Sequence, residues 1–253
     1  MKNIIIVTGA SSGIGQEFIF QMDTAFSNID EFWMIARRED RMEEIAKVCA
    51  HNTKIIPMDL MDEYAMDDLE ALLEEEEAVV RILVNAAGFG IIGEFDELTL
   101  EEQLDMLRVN CESLTKMTYI CLPYMPKGSR IIQMASAAAF IPQRNFAIYA
   151  ATKSYVLSFS RALNREVNYR GIYVTAVCPG PVNTEFFDIA EKYASSKAIK
   201  KMTMISAESC VKAALKASYR KKSMVVPGIC MKAFLLLTKI VPHDVILKLT
   251  DLV

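Results

Sequence analysis

Residues 4–15 read Ile4-Ile5-Ile6-Val7-Thr8-Gly9-Ala10-Ser11-Ser12-Gly13-Ile14-Gly15. An unbroken aliphatic run that ends in closely spaced glycines is a strand entering a tight turn and then a helix. Gly9 permits the turn. Gly13 lets backbone approach a bound group, and Gly15 lets the helix pack closely on the strand. The first N–H groups of such a helix have no partner inside it, and its dipole presents positive charge there. They suit a pyrophosphate; Ser11, Ser12 and Ile14 are further candidate contacts for the bound group, the Ser12 hydroxyl for a second phosphate. Glycine spacing alone would also fit an ordinary turn; its place directly after the first strand favours the phosphate cradle.

Moving outward, similar apolar runs recur at Phe32–Ala36, Lys54–Met58, Ile82–Asn85, Arg130–Met134, Tyr173–Cys178 and Met224–Val226. Most are continuous rather than alternating, which marks strands covered on both faces, as in a parallel sheet. Helical stretches lie between them. Thr99 with Glu102 reads as a capping box. Ala147 to Asn168 and a stretch from Ser206 through Ala217 read as helices. The pattern predicts an α/β, doubly wound, seven-stranded and mainly parallel sheet with helices on both faces. Without a Pro-, Gly- or Ser-rich linker, residues 1–253 are expected to form one domain. Glu74–Glu77 reads as a solvated charge block.

The composition narrows the function. Hydrophobic residues make up 52% of 253, enough to cover such a sheet. A net charge of −4 disfavours nucleic acid as a partner and favours small molecules or other protein chains. Cys49, Cys111, Cys121, Cys178, Cys210 and Cys230 form no Cys-x-x-Cys pair, and His51 and His243 are the only histidines. No metal site is expected, and free thiols suit a reducing cytoplasm. The apolar run after Lys2 is too short for a signal core. Ile229 to Val241 is interrupted by Lys232 and Lys239, short of a spanning helix. It reads as a packed helix, with a membrane or partner contact as the alternative.

The Gly-x-x-x-Gly-x-Gly turn resembles that of the short-chain dehydrogenase/reductase family, and further signatures extend the resemblance over about residues 3–228. Asn85-Ala86-Ala87-Gly88 is similar to the family's Asn-Asn-Ala-Gly, with Ala86 in place of the usual second Asn. Asn110, Ser136, Tyr149 and Lys153 match its Asn-Ser-Tyr-Lys tetrad. Cys178-Pro179-Gly180-Pro181-Val182-Asn183-Thr184 resembles its Pro-Gly-x-Val-x-Thr. The resemblance implies a Rossmann-type fold and hydride transfer between a nicotinamide cofactor and a carbonyl or secondary alcohol. It makes Tyr149 the general acid/base and Ser136 the group that polarises the substrate oxygen. Lys153 would lower the phenol's pKa and bind the nicotinamide ribose. Asn110 would hold a water of a proton relay. Pro179, Gly180, Val182 and Thr184 would meet the nicotinamide end, and Asp59 with Leu60 the adenine. A homodimer or homotetramer is implied, paired through the helices that carry Asn110 and Tyr149.

The residues themselves support part of this. Tyr149 and Lys153 stand at i and i+4, one face of a helix. An ammonium near a phenol favours the phenolate. The second strand ends Ala36-Arg37-Arg38, with no acid where a ribose 2′-hydroxyl would be read. Arg37 and Arg38 suit a 2′-phosphate, so NADP(H) is expected over NAD(H). The alternative is that these arginines pair with Glu39, Asp40 or Glu43. Asp59 equally fits a turn residue. Residues 185–204, with Phe186 and Phe187, read as a substrate lid. Ala137, Ala138, Phe140, Gln143 and Phe146 flank the Ser and Tyr in sequence. They imply an apolar substrate such as a steroid, lipid or aromatic ketone; of these, Ala138, Gln143, Phe146 and Phe186 are the candidate contacts. Residues 229–253 carry no motif and read as a variable segment. A non-catalytic NADP-binding regulator, or an epimerase or dehydratase on the same fold, are the competing readings.

Overall fold

The computed structural model describes residues 1–193 and 203–250. Its first strand, β1 (Lys2–Thr8), has Ile4 to Val7 fully buried. Burying each such side chain contributes about 2 kcal/mol, so this strand anchors the core. Helix α1 (Gly13–Ala25) leaves the glycine turn with Gly9 at φ 67° and Gly13 at φ 56°, a region that L side chains rarely adopt. There follow β2 (Glu31–Ala36), α2 (Glu39–Ala46), β3 (Asn52–Pro57), α3 (Glu63–Glu75) and β4 (Ala78–Asn85). The second half holds α4 (Leu100–Leu107), α5 (Leu114–Cys121), β5 (Arg130–Met134), α6 (Ala147–Val167), β6 (Tyr173–Val177), β7 (Val182–Asn183), α7 (Phe186–Ala190), β8 (Ile205–Ser206) and α8 (Ala207–Tyr219). β9 (Met224–Val225), α9 (Ile229–Ile240) and α10 (His243–Thr250) complete the described chain.

Seven strands form one parallel sheet in the order β3-β2-β1-β4-β5-β6-β9. The order reverses between β1 and β4, the point at which open α/β sheets bind ligands beyond their carboxyl ends. Apolar clusters on both faces account for the continuous hydrophobic runs. The predicted fold class therefore holds, and the Thr99–Glu102 capping box forms as read. β7 and β8 make a small second sheet that the sequence reading lacks.

Three local findings differ from expectation. β4 starts at Ala78, not Ile82, because Glu77 (φ 44°) turns the chain sharply out of α3. The acidic block before it is not simply solvated, since Glu76 pairs with both Lys2 and Lys54. Asn110 does not lie in a regular α-helix. Arg108–Ser113 is a π-helical turn between α4 and α5, where the Ser113 hydroxyl donates to the Arg108 carbonyl at 2.9 Å. Such wide turns recur at functional sites.

No described helix is long and apolar enough to cross a membrane. α9 turns Met231 and Phe234 inward, while Ile229, Leu236, Leu237 and Ile240 stay exposed.

Candidate active site

The strands deliver the signature segments to one edge of the sheet. β1 ends in the glycine turn, β4 in Asn85–Gly88, β5 just before Ser136, and β6 before Pro179–Val182. The Thr8 hydroxyl accepts from the backbone N–H groups of Ala86 and Ala87, both at 3.1 Å, tying the β4 loop to the turn. A Cβ on Gly9 would stand 2.9 Å from the Ala87 backbone, so the two loops can meet only through glycine. Asn85 donates to Thr118 (3.1 Å) and Gln133 (2.9 Å), fixing the strand end to α5 and β5.

A cavity of about 680 Å³ opens at this edge. Ser136, Tyr149 and Lys153 lie on its wall, as do Ala138, Gln143, Phe146 and Phe186. Ile14, Ala86, Gly88, Pro179, Gly180, Val182 and Thr184 border it too. Phe187, Met231 and Phe234 complete a largely apolar lining. Met231 and Phe234 sit in an apolar stretch with no motif, so nothing in the sequence marks them; in the fold, a Cβ on Gly180 would stand 2.7 Å from Met231 Cγ. Phe140 is buried behind this wall, with its ring 6.5 Å from that of Phe234.

Tyr149 is buried and stacked on Phe146, ring centroids 4.2 Å apart, with the tilted ring of Phe186 at 5.6 Å. Burial pushes its phenol up to about 12, opposed by a hydrogen bond from Ser136. Ser136 also caps the end of β5, accepting from Ala138 N–H at 3.1 Å. Lys153 is buried as well, and burial brings its ammonium down to about 8. Its Nζ donates to the Met134 carbonyl at 2.9 Å and sits 5.6 Å from the Tyr149 ring centroid. Desolvation thus raises the phenol and weakens Lys153 as a cation, while Ser136 is the group that pulls the phenol back down.

Asn110 is fully buried. It accepts from Phe89 N–H (3.1 Å) and donates to the Phe89 carbonyl (2.8 Å) and to Thr152 Oγ1 (3.1 Å). Its amide therefore joins the β4 loop to α6 between Tyr149 and Lys153. Gly88 makes this possible, because a Cβ there would lie 2.7 Å from Asn110 Oδ1 and 3.3 Å from Lys153 Nζ.

At the β2 end, Arg38 donates through Nε to Ser11 (3.3 Å), through Nη2 to Ser12 (2.7 Å) and through Nη1 to Glu185 (2.9 Å). Among the described residues, neither Arg37 nor Arg38 pairs with Glu39, Asp40 or Glu43; Arg37 is exposed. Asp59 takes the turn role, accepting from Met61 N–H at 3.0 Å, and the Leu60 carbonyl accepts from Ser113.

Of the expected lid, residues 185–193 and 203–204 are described, and the first stretch is anchored at both ends. Glu185 holds Arg38, and Lys192 pairs with Glu102 at 2.7 Å, which brings that carboxyl down to about 2. Residues 194–202 of the lid and residues 251–253 lie outside the described residues.

These residues fit a dinucleotide. Ser12, the N-cap of α1, makes no side-chain cap, because its hydroxyl is turned to Arg38, and the first turn holds no acid. The helix start is left open to an anion. A Cβ on Gly13 would press on Thr184 at 3.2 Å.

Comparison with known proteins agrees. A family model described as short chain dehydrogenase matches residues 3–194. Serine 3-dehydrogenase of Agrobacterium fabrum is 30% identical over 191 residues, 74% of this chain and 74% of its own. A short-chain dehydrogenase from Sphingobium yanoikuyae in complex with NADPH has TM-score 0.80 at 24% identity, over 95% of this chain and 97% of that one. One from Burkholderia phymatum in complex with NAD has TM-score 0.81 at 17% identity, over 93% and 92%. These two structures share the fold. With three quarters of its length matched, the chain belongs to the short chain dehydrogenase family, nicotinamide-dependent oxidoreductases acting on CH–OH groups.

Proposed function

We propose that this protein is an NADP(H)-dependent reductase of apolar ketones, working in the direction of the secondary alcohol. The observation that carries this reading is a phenol held neutral by burial, hydrogen-bonded to Ser136, on the wall of an apolar cavity. The nicotinamide supplies the hydride when the reduced cofactor is bound. Tyr149 gives its phenolic proton to the substrate oxygen as the carbonyl carbon becomes an alcohol carbon. Ser136 donates to the same oxygen and steadies its developing charge. Below about pH 8 Lys153 is an ammonium; it orients the ribose and stabilises the phenolate left behind. Asn110 holds the β4 loop against α6 and so fixes the spacing of Tyr149 and Lys153.

Preference for NADP(H) rests on Arg38, with Ser11 and Ser12, and on Ala36 standing where an acid would read a ribose hydroxyl. The substrate is a steroid, lipid or aromatic ketone, since Phe146, Phe186, Phe187 and Phe234 offer mostly rings and aliphatic surface. A cytoplasmic setting suits the free thiols. Homo-oligomers would form through α4–α5 and α6, which expose Leu107, Tyr119 and Tyr155. Sedimentation at micromolar concentration is expected to give a dimer or tetramer; a pure monomer would remove this part of the proposal.

The main test is NADPH oxidation against a panel of bulky ketones, with Tyr149→Phe beside the wild type. Turnover should fall by about 10²–10⁴-fold while NADPH still binds. A wild type that binds NADPH and reduces nothing in the panel would favour the regulator reading.

A further inference from the structure

The end of β2 has Ala36 where an acid would read a ribose hydroxyl, yet the fold brings a distant acid beside Arg38. Glu185 lies 147 residues beyond Arg38 and places its carboxylate 2.9 Å from Nη1, with Arg41 at 3.9 Å on the other oxygen. The Arg38 guanidinium beside this carboxylate holds its pKa below the usual range, and the Ser12 hydroxyl bonds it as well. Arg38 and Ser12 are thus an anion site already filled by a residue of the same chain. We propose that Glu185 is an internal competitor for the adenosine 2′-phosphate: it occupies the Arg38–Ser12 site until the phosphate displaces it, and so sets how strongly the protein prefers NADP(H) over NAD(H).

Charge and geometry carry the argument. A 2′-phosphate dianion and a carboxylate on one guanidinium repel each other, so one must leave. The phosphate carries more charge and more acceptor oxygens. The Arg38 and Glu185 side chains are 45% and 44% exposed, and such pairs are individually weak. Glu185 is therefore a soft competitor, which lowers NADPH affinity without abolishing it. NADH has no phosphate at this position and leaves the pair undisturbed.

The inference rests on the NADP(H) reading above, and the experiment separates the two. Dissociation constants for NADPH and NADH are measured by calorimetry for the wild type, Glu185→Gln, Glu185→Ala and Arg38→Ala. Both Glu185 variants should bind NADPH about threefold to tenfold tighter, with NADH within about twofold of wild type. Arg38→Ala should weaken NADPH by at least about tenfold. Unchanged or weaker NADPH binding in both Glu185 variants, with Arg38→Ala still damaging, overturns the competitor alone. An equal gain for NADH overturns it too, because Glu185 would then obstruct the cleft generally. A wild type that favours NADH and ignores Arg38→Ala overturns the NADP(H) reading, and the competitor with it.

Discussion

Two polar clusters at the carboxyl edge of one sheet, beyond β2 and beyond β5, behave differently. At the β2 end, Arg38, Ser12 and Glu185 meet in solvent, with the charged side chains nearly half exposed. At the β5 end, Ser136, Tyr149 and Lys153 meet in the interior, where Tyr149 is 7% and Lys153 5% exposed. Water screens the first cluster, so its bonds can be exchanged for a ligand at small cost. Desolvation governs the second, raising the phenol from 10.0 to about 12 and lowering the ammonium from 10.5 to about 8. One end is adjustable by a single surface change. The other is set by packing, and its protonation states follow from what surrounds it.

The largest effect that would break this contrast is at Lys153. Lys153→Met should reduce turnover by about a hundredfold or more and, at pH 7, raise Tm by about 2–6 °C, since an aliphatic chain needs no hydration. The sign follows from the pKa values. The folded ammonium titrates near 8 and the unfolded one near 10.5, so the burial cost is fully present below pH 8. It is relieved as pH rises towards 10.5, and the Tm gap between variant and wild type should close over that window. A variant that is less stable at every pH would mean that the Met134 hydrogen bond outweighs the cost of burial. Wild-type reduction should lose rate above about pH 8 as the ammonium is lost, with no separate fall near pH 10, since the phenol stays protonated to about 12.

A smaller effect sharpens the contrast from the substrate side. Phe234→Ala removes an aromatic ring from the cavity wall, on α9 rather than on the helix that carries Tyr149 and Lys153. KM for a bulky ketone should rise by about tenfold, with kcat within about threefold of wild type. An equal loss in kcat would show that α9 also positions the reacting groups.

What could be read from the sequence follows the same divide. Contacts between neighbours in sequence leave a pattern: continuous apolar runs for the sheet, glycines at positive φ for the turn, and Tyr149 and Lys153 one helical turn apart. Contacts between distant segments leave none. Glu185 reaches Arg38 across the fold, and Met231 and Phe234 enter the cavity from a helix whose composition is merely apolar. The state of Tyr149 was also hidden. The sequence shows a lysine near it but not the burial that raises the phenol.

The wide turn at Arg108–Ser113 sets a rule for length as well as identity. It fits one residue more than regular winding would, so α4 and α5 are out of phase by about 100°. That phase lets α4 aim Glu102 at Lys192 while α5 aims Thr118 at Asn85. Deleting any one residue of the turn would restore regular winding and swing one of these anchors away from its partner. Outside Asn110 and Ser113, whose side chains make the bonds described above, this stretch should therefore accept changes of side chain more readily than a change of one in its count.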